Sequence, residues 1–213
     1  MFLDPLSRSA TALVLSLALA LPAAAGDGSL RQLDLSAQLY ARGIADGDPL
    51  LVLAAAKLRK GLSFTPAPRD TKTPAADAAA PAPITWDEML DSARELAAGD
   101  PALLGLIEDV AAESAKGVTT GQVYSISRID DGGEDVYDNL PFAAGEYAEV
   151  YVESADGSDL NLYVYDAAGR LVCSDTDISA ISYCGWRPSE GGAFTIRVEN
   201  RGQGDAGYSL MTN

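Results

Sequence analysis

The chain has 213 residues, with 31 acidic and 15 basic side chains, a formal net charge of −16 and no histidine. The absence of histidine excludes Ser-His-Asp and Cys-His catalysis and histidine-ligated zinc. The acidic balance argues against nucleic acid as a partner, because phosphate binding requires clustered Lys and Arg. Hydrophobic residues make up 47% of the chain, which is enough for a folded protein.

The first 25 residues have the features of a secretory signal peptide. Arg8 supplies a positive charge, residues 10–21 form an apolar stretch, and Pro22 precedes three alanines that suit a signal peptidase. The apolar stretch is shorter than the roughly 20 residues that a membrane-spanning helix needs. We therefore expect a periplasmic or secreted protein that keeps no integral membrane segment after cleavage.

Residues 26–117 form a predicted helical region. Residues 29–60 and 85–116 are rich in Ala and Leu with helical spacing. Between them, residues 63–83 are rich in proline and alanine. Because proline removes backbone donors and fixes φ, this stretch predicts an extended, poorly ordered linker.

The helical region contains an internal repeat. Residues 41–51 recur as residues 93–103 with the shared pattern AR-x-x-A-x-GDP-x-L. In each copy Gly is expected to end one helix, Asp to cap the next and Pro to occupy its first position. Ser29-x-x-Gln32 and Thr85-x-x-Glu88 both fit a capping box. Two helical hairpins favour a small helical layer, or helices docked on the second domain, over a peptide-binding groove.

Residues 118–213 are predicted to form a β-sandwich domain. Apolar and polar residues alternate in short runs separated by Gly-rich turns, as in antiparallel sheets packed face to face. The predicted core consists of Val150, Val152, Leu160, Leu162, Val164, Phe194, Ile196 and Val198. The fold class is therefore α+β in separate regions, with helical hairpins followed by a sandwich.

The two cysteines, Cys173 and Cys184, lie 11 positions apart in this strand-rich region. In an oxidising compartment such a pair most often forms a disulfide. The alternative is a redox pair, but the C-x-x-C spacing is absent. We predict a structural bridge.

Four segments of the sandwich region resemble the bacterial pre-peptidase C-terminal domain. They read FAAGE, DLNLYVYD, GRLV and FTIRVEN, and begin at Phe142, Asp159, Gly169 and Phe194. The resemblance covers roughly residues 120–213. It implies a jelly-roll-like β-sandwich that acts as an accessory module, commonly attached to a secreted peptidase.

Some members of that family bind calcium through acidic loops, which directs attention to two groups of acids. Calcium takes about six to eight oxygen ligands from such loops. The candidate ligands are Asp130, Asp131, Glu134, Asp135 and Asp138 in one group, with Asp156 and Asp159 in the other. No EF-hand spacing is present, so solvated acidic loops are the alternative.

Four tyrosines of the strand region form a candidate ligand face, with two readings. Alternation could place them on one outer sheet face, where exposed aromatic rings can bind sugars or protein strands. Alternatively, they are half-buried under a loop or under the helical half. These residues are Tyr147, Tyr151, Tyr163 and Tyr165.

A carboxylate pair is the catalytic option that remains without histidine. No signature of an aspartic protease or a glycosidase is present, so we expect no enzyme. We predict an exported, non-catalytic binding or accessory protein whose sandwich contacts an envelope or extracellular protein or polysaccharide. The alternatives are a structural accessory subunit that docks through its helical hairpins, and a calcium-stabilised module associated with a secreted peptidase.

Overall fold

The computed structural model describes residues 28–71, 82–113 and 122–213. The predicted signal peptide of residues 1–25 and residues 72–81 of the predicted linker lie outside this part of the chain. Four helices precede two packed sheets, which confirms the predicted fold class. The helices are α1 (Ser29–Asp46), α2 (Pro49–Lys60), α3 (Trp86–Leu96) and α4 (Pro101–Ala112).

The first Gly-Asp-Pro turn forms as predicted, whereas in the second copy α3 ends at Leu96 with Ala97 as its C-cap, before Gly99. Gly47 ends α1 with a left-handed φ of 64°. The Asp48 side chain accepts from two backbone N–H groups at the start of α2, and Pro49 is the first residue of that helix. Asp100 and Pro101 act in the same way at the start of α4. Each repeat is therefore a tight helical hairpin.

One of the two predicted capping boxes is present. Thr85 caps α3 and exchanges hydrogen bonds with Glu88. The capping box predicted at the start of α1 is wrong, because Gly28 is the N-cap and no side chain of that segment caps the helix. The Arg31 N–H in this first turn donates instead to Glu149 Oε1, 3.2 Å away on the sandwich.

Nine strands build the two sheets. Sheet A has five strands in the order β1-β2-β9-β4-β7, and sheet B has four in the order β3-β8-β5-β6. Without β1, the eight strands have the order of two interlocked Greek keys, a jelly roll. The strands are β1 (Phe64–Pro66), β2 (Gln122–Ile129), β3 (Glu134–Phe142), β4 (Ala148–Ser154), β5 (Leu160–Tyr165), β6 (Leu171–Asp175), β7 (Ile181–Trp186), β8 (Gly192–Asn200) and β9 (Ala206–Thr212).

The linker prediction needs a correction. Phe64–Pro66 pairs in parallel with β2 and extends sheet A. Beyond it, the Ala67 N–H donates to the Tyr124 carbonyl, and Arg69 Nη2 donates to Thr212 Oγ1 at 2.6 Å. The described start of the linker is extended, as predicted, but it is an ordered edge strand, because the exposed edge of β2 supplies backbone partners.

The core of the sandwich contains all eight predicted residues, each buried. Tyr137 and Tyr208 add a polar element to the core, with their hydroxyl groups 2.7 Å apart. The predicted disulfide is confirmed: Cys173 on β6 is bonded to Cys184 on β7. It therefore joins an edge strand of sheet B to an edge strand of sheet A.

Helix α1 packs on the outer face of sheet A. Leu30, Leu33 and Ala37 contact Tyr151 and Met211 in a buried cluster. Helices α2 to α4 form a second cluster behind α1. No helix within the described ranges is both long and apolar enough to cross a membrane.

Arg59 links α2 to the sandwich through a buried ion pair. Its side chain is 2% exposed and lies 3.2 Å from Glu153 Oε1 on β4. Arg59 Nη1 also donates to the Ile84 carbonyl at 2.7 Å, so one guanidinium connects three segments. Breaking such a pair from one side leaves an uncompensated buried charge. The helical layer is thus docked on the sandwich, as the sequence favoured.

Candidate ligand-binding site

The four candidate tyrosines do not share one face, which corrects the first reading of the sequence. Tyr151 is on β4 in sheet A, and Tyr163 and Tyr165 are on β5 in sheet B. Tyr147 precedes β4 and lies outside the strand. Alternation fixes which side of its own strand a residue occupies, but it does not assign strands to sheets.

Of the two tyrosines near sheet A, Tyr151 belongs to the contact with the helices. Tyr151 is fully buried against α1, and the Tyr147 hydroxyl lies 3.2 Å from the Tyr183 hydroxyl. Tyr183 donates in turn to Glu149 Oε1 at 2.8 Å. The second interpretation of the sequence, in which the helical half covers the tyrosines, is therefore correct for Tyr151.

Sheet B presents a different outer surface, which we call the open face. It consists of the side chains of sheet B that point away from the core, and those at its centre are half-exposed. The central members are Asn161, Tyr163, Tyr165, Thr195 and Arg197.

Arg197 organises the centre of the open face. It is opposite Tyr163 in the pairing of β5 with β8. Its guanidinium carbon is 4.8 Å from the ring centroid of Tyr163 and 5.4 Å from that of Tyr165. Arg197 Nη2 donates to the Tyr165 hydroxyl at 2.8 Å. Arg197 therefore contacts both rings at once, through cation–π attraction and one hydrogen bond.

The alternation of β5 predicted Tyr163 and Tyr165 as members of this site, but no pattern in the sequence predicted Arg197. Alternation along β8 already predicted that Arg197 points to the other side of the strand from Ile196 and Val198, which are buried. What the sequence lacked was the register of β8 against β5, which decides that Arg197 meets the two rings. Register depends on long-range pairing and is not encoded in either strand alone.

A cleft of about 580 Å³ lies at one end of the sandwich, and we call it the end cleft. Its walls are the turn of residues 166–170 between β5 and β6 and the loop of residues 187–191 between β7 and β8. Trp186 and Phe194 line it as well, and their ring centroids are 5.4 Å apart. The cleft therefore combines an aromatic floor with charged loops.

The five acids of the first candidate calcium group do not converge. Asp135 is fully buried inside the sandwich, where its Oδ2 accepts from Tyr208 at 2.6 Å and from Ser127 at 2.8 Å. Its neighbours in sequence, Glu134 and Asp138, point outward on the same strand. Successive strand residues face opposite sides of a sheet, so these acids cannot surround one ion.

Outward acids of this group have protein partners. Glu134 lies 3.6 Å from Arg197, and Asp138 accepts from Thr195 at 3.2 Å. In the turn before β3, Asp130 is exposed, and Asp131 Oδ1 accepts from the Gly204 N–H at 3.1 Å. Inside the sandwich, burial raises the pKa of Tyr137 to about 12, so the phenol of Tyr137, which lies beside Asp135, stays protonated.

Asp156 and Asp159 also serve local structure. Although partial burial opposes it, hydrogen bonds from Ser154, Ser158 and Gly207 lower the pKa of Asp156. Asp159 accepts from the Ser179 N–H at 3.2 Å. Within the described ranges, no group of three or more His, Cys, Asp or Glu side chains is arranged to hold a metal ion. The residues do not fit the predicted calcium site.

Several solved structures are similar to part of the chain. The pre-peptidase C-terminal domain of a collagenase from Bacillus anthracis is 14% identical, with a TM-score of 0.34, and the match covers 42% of this chain and 88% of that chain. The Yersinia pseudotuberculosis-derived mitogen is 14% identical, with a TM-score of 0.35 and coverages of 44% and 85%.

A third similar structure is a periplasmic inhibitor of g-type lysozyme from Aeromonas hydrophila. It is 16% identical, with a TM-score of 0.34, and the match covers 48% of this chain and 91% of that chain. No model of a known protein family matches this chain, and no curated protein does either. These values assign neither a family nor a function, so function has to be argued from the site.

Proposed function

We propose that this is an exported, non-catalytic binding protein whose open face binds a polysaccharide of the cell envelope. The observation that carries the proposal is the pair of half-exposed rings, Tyr163 and Tyr165, held by Arg197 on a sheet face that points away from the core and from α1. Ring faces of this kind stack on the C–H face of a pyranose, and their hydroxyl groups reach its rim.

The side chains of the open face are held by contacts with one another, and this favours a role in ligand binding. Arg197 is also paired with Glu199 at 3.3 Å, so the guanidinium that orients both rings is itself held. Binding to groups that are already ordered loses less side-chain entropy than binding to mobile ones. Asn161, which donates to the Tyr163 hydroxyl at 3.3 Å, extends the polar rim.

The predicted signal peptide and the disulfide support an extracytoplasmic location. Disulfides persist in the periplasm and outside the cell and are rare in the cytosol. An envelope polysaccharide is a ligand present in those compartments.

The role of the rings is tested by affinity electrophoresis in gels that contain extracted envelope polysaccharide. The double variant Tyr163→Ala/Tyr165→Ala should lose retardation, and Tyr163→Phe/Tyr165→Phe should keep most of it, because the rings remain. Tyr40→Phe on α1, which is half-buried and distant from sheet B, is the matched control. Unchanged retardation of the alanine variant would overturn the proposal.

The class of ligand is tested by co-sedimentation with envelope fragments. Fragments treated with protease should still bind the protein, whereas fragments treated with periodate, which cleaves vicinal diols of sugars, should not. The opposite pattern would identify a protein ligand and overturn the assignment of a polysaccharide.

A further inference from the structure

The end cleft is continuous with the open face. Tyr165 is the last residue of β5, and the next residue, Asp166, begins the turn that forms one wall of the cleft. Val172 on the neighbouring strand β6 is 40% exposed and also lines the cleft. A linear ligand that lies along β5 over the two tyrosines therefore reaches the cleft without leaving the surface.

The aromatic floor of the cleft is well packed. Phe142 contacts both Trp186 and Phe194, with centroid distances of 4.9 Å and 5.7 Å. Trp186 and Phe194 are nearly buried by this cluster. Only 8% of Trp186 and 7% of Phe194 is exposed at the base of the charged loops.

The carboxylate of Asp166 is already used within its own turn. Oδ1 accepts from the N–H groups of Ala168 and Arg170, each at 2.9 Å, and Oδ2 accepts from Arg170 Nε at 2.7 Å. These hydrogen bonds, with the Arg170 N–H first among them, lower the pKa of Asp166. The turn thus fixes Arg170 at the wall, and the 80% exposed side chain of Arg170 keeps donors directed at solvent.

Arg187 on the opposite wall has no carboxylate partner among the described residues. Its Nη1 donates to the Gly145 carbonyl, and its guanidinium carbon lies 6.0 Å from the ring centroid of Tyr147. The side chain is exposed. Gly145 and Tyr147 lie outside the lining of the cleft, so the donors of Arg187 that these contacts leave unused are the ones that could bind an anion, against the repulsion of a net charge of −16.

The remaining charged residue of the cleft is Glu190, which is exposed on the same loop as Arg187. Its negative charge opposes the binding of an anion. The two arginines and the two acids balance in charge, and Arg170 is itself paired with Asp166, its Nη2 lying 2.7 Å from Oδ2. The donors that remain available to a ligand come from Arg170 and Arg187.

We propose that the end cleft binds the carboxylate of an acidic sugar, a uronate, within the polysaccharide whose neighbouring units stack on Tyr163 and Tyr165. This inference rests on the proposed function, since it names the class of sugar that the same surface binds. Guanidinium groups match the planar geometry of a carboxylate and form bidentate hydrogen bonds with it.

The test uses calorimetric titration of the full chain with oligogalacturonate, oligomannuronate and oligoglucuronate, each beside its methyl ester. The ester has the same shape but no charge. At least one acid form should bind about tenfold more tightly than its ester, because one charge-assisted pair is lost. The difference should shrink as salt is raised. Equal binding of acid and ester, or no binding by any of the three acids, would overturn the proposal.

Variants locate the carboxylate within the cleft. Arg187→Gln should weaken binding of the acid form about tenfold, and Glu190→Gln should strengthen it, because the opposing charge is removed. Arg42→Gln, on the exposed side of α1 in its pair with Asp46, is the matched control and should change nothing. An unchanged affinity in Arg187→Gln would overturn the assignment of the cleft.

The outcomes separate this proposal from the proposed function. If Tyr163→Ala/Tyr165→Ala abolishes binding while Arg187→Gln has no effect, the open face binds the polysaccharide and the uronate proposal is overturned. If Arg187→Gln weakens binding of the acid while the tyrosine variant has no effect, the cleft binds the acid and the role assigned to the open face is overturned.

Discussion

The outer faces of the two sheets both carry tyrosines, yet those tyrosines have different surroundings. Tyr151 on sheet A is fully buried beneath α1, whereas Tyr163 and Tyr165 on sheet B are half-exposed and contact Arg197. The same residue type, at the same outward position of a strand, is a packing residue on one face and an accessible ring on the other. What decides its role is the element that covers the sheet, and only sheet A has α1 packed on it.

This difference is measured most directly by the loss in the free energy of unfolding when a ring is removed. Tyr151→Ala should lower the free energy of unfolding by about 3–5 kcal/mol, because it leaves a cavity between α1 and sheet A. Tyr165→Ala should lower it by less than about 1 kcal/mol, because the ring contributes little to the core. Urea denaturation of both variants measures the two values. Equal losses would show that the two faces do not differ.

The ion pair between Arg59 and Glu153 tests whether the helical layer depends on the sandwich. Arg59→Met should cost about 3 kcal/mol or more, since Glu153 is left nearly buried without its partner. The double variant Arg59→Met/Glu153→Leu should recover most of this loss.

Lys57 is the matched control, because it is on the same helix and forms an exposed pair with Glu113. Lys57→Met should cost less than about 1 kcal/mol. If urea denaturation gives Arg59→Met the same small loss, the contact between α2 and β4 does not stabilise the fold.

The disulfide joins the edges of the two sheets and should stabilise both faces alike. The double variant Cys173→Ser/Cys184→Ser should lose about 3 kcal/mol, the value that the chain-entropy treatment assigns to so short a loop. Denaturation followed by tryptophan fluorescence and by far-ultraviolet circular dichroism should give one shifted transition. A transition that shifts in only one of the two signals would show that the bridge stabilises one part of the fold.

The smallest of these effects on stability comes from Asp34 on α1, and this effect depends on pH. Burial raises the pKa of Asp34 above its usual value of 3.8, although the hydrogen bond from Gln38 opposes the shift. The folded state therefore binds this proton more tightly than the unfolded state does. The resulting stabilisation is complete below the unfolded pKa and is lost as pH rises through the folded pKa.

Asp34→Asn removes this titration and keeps an acceptor for Gln38. At about pH 7 its melting temperature should exceed that of the parent protein, and the difference should vanish as pH falls below the usual pKa of an aspartate. A difference that persists unchanged at low pH would show that burial of the charge is not its cause.

Much of the local structure could be predicted from short-range signals. The Gly-Asp-Pro turns, the Thr85 capping box and all eight core positions follow from residues within a few positions of each other. The same signals failed at Ser29, because the Arg31 N–H in the first turn of α1 donates to Glu149, on a strand 118 positions after Arg31. A tertiary partner replaced a local one there, because it satisfies a free N–H at the positive end of the helix dipole.

The candidate site was predictable only in part, for the same reason. Alternation identified the outward side of each strand, and it placed Tyr163 and Tyr165 correctly with respect to their own strand. It could not say that Tyr151 is on the other sheet, nor which of Glu134 and Asp135 points into the core. The grouping of acids as one calcium site failed on that point.

The sequence by itself determined the hairpins, the alternating strands and the spacing of the two cysteines, because each depends on backbone preferences and side-chain period over a few residues. The tertiary structure alone decided which sheet face α1 covers, that residues 64–66 extend sheet A, and that Arg197 lies over two tyrosine rings. These outcomes depend on strand order and register, which are set when distant segments pair to bury a common core.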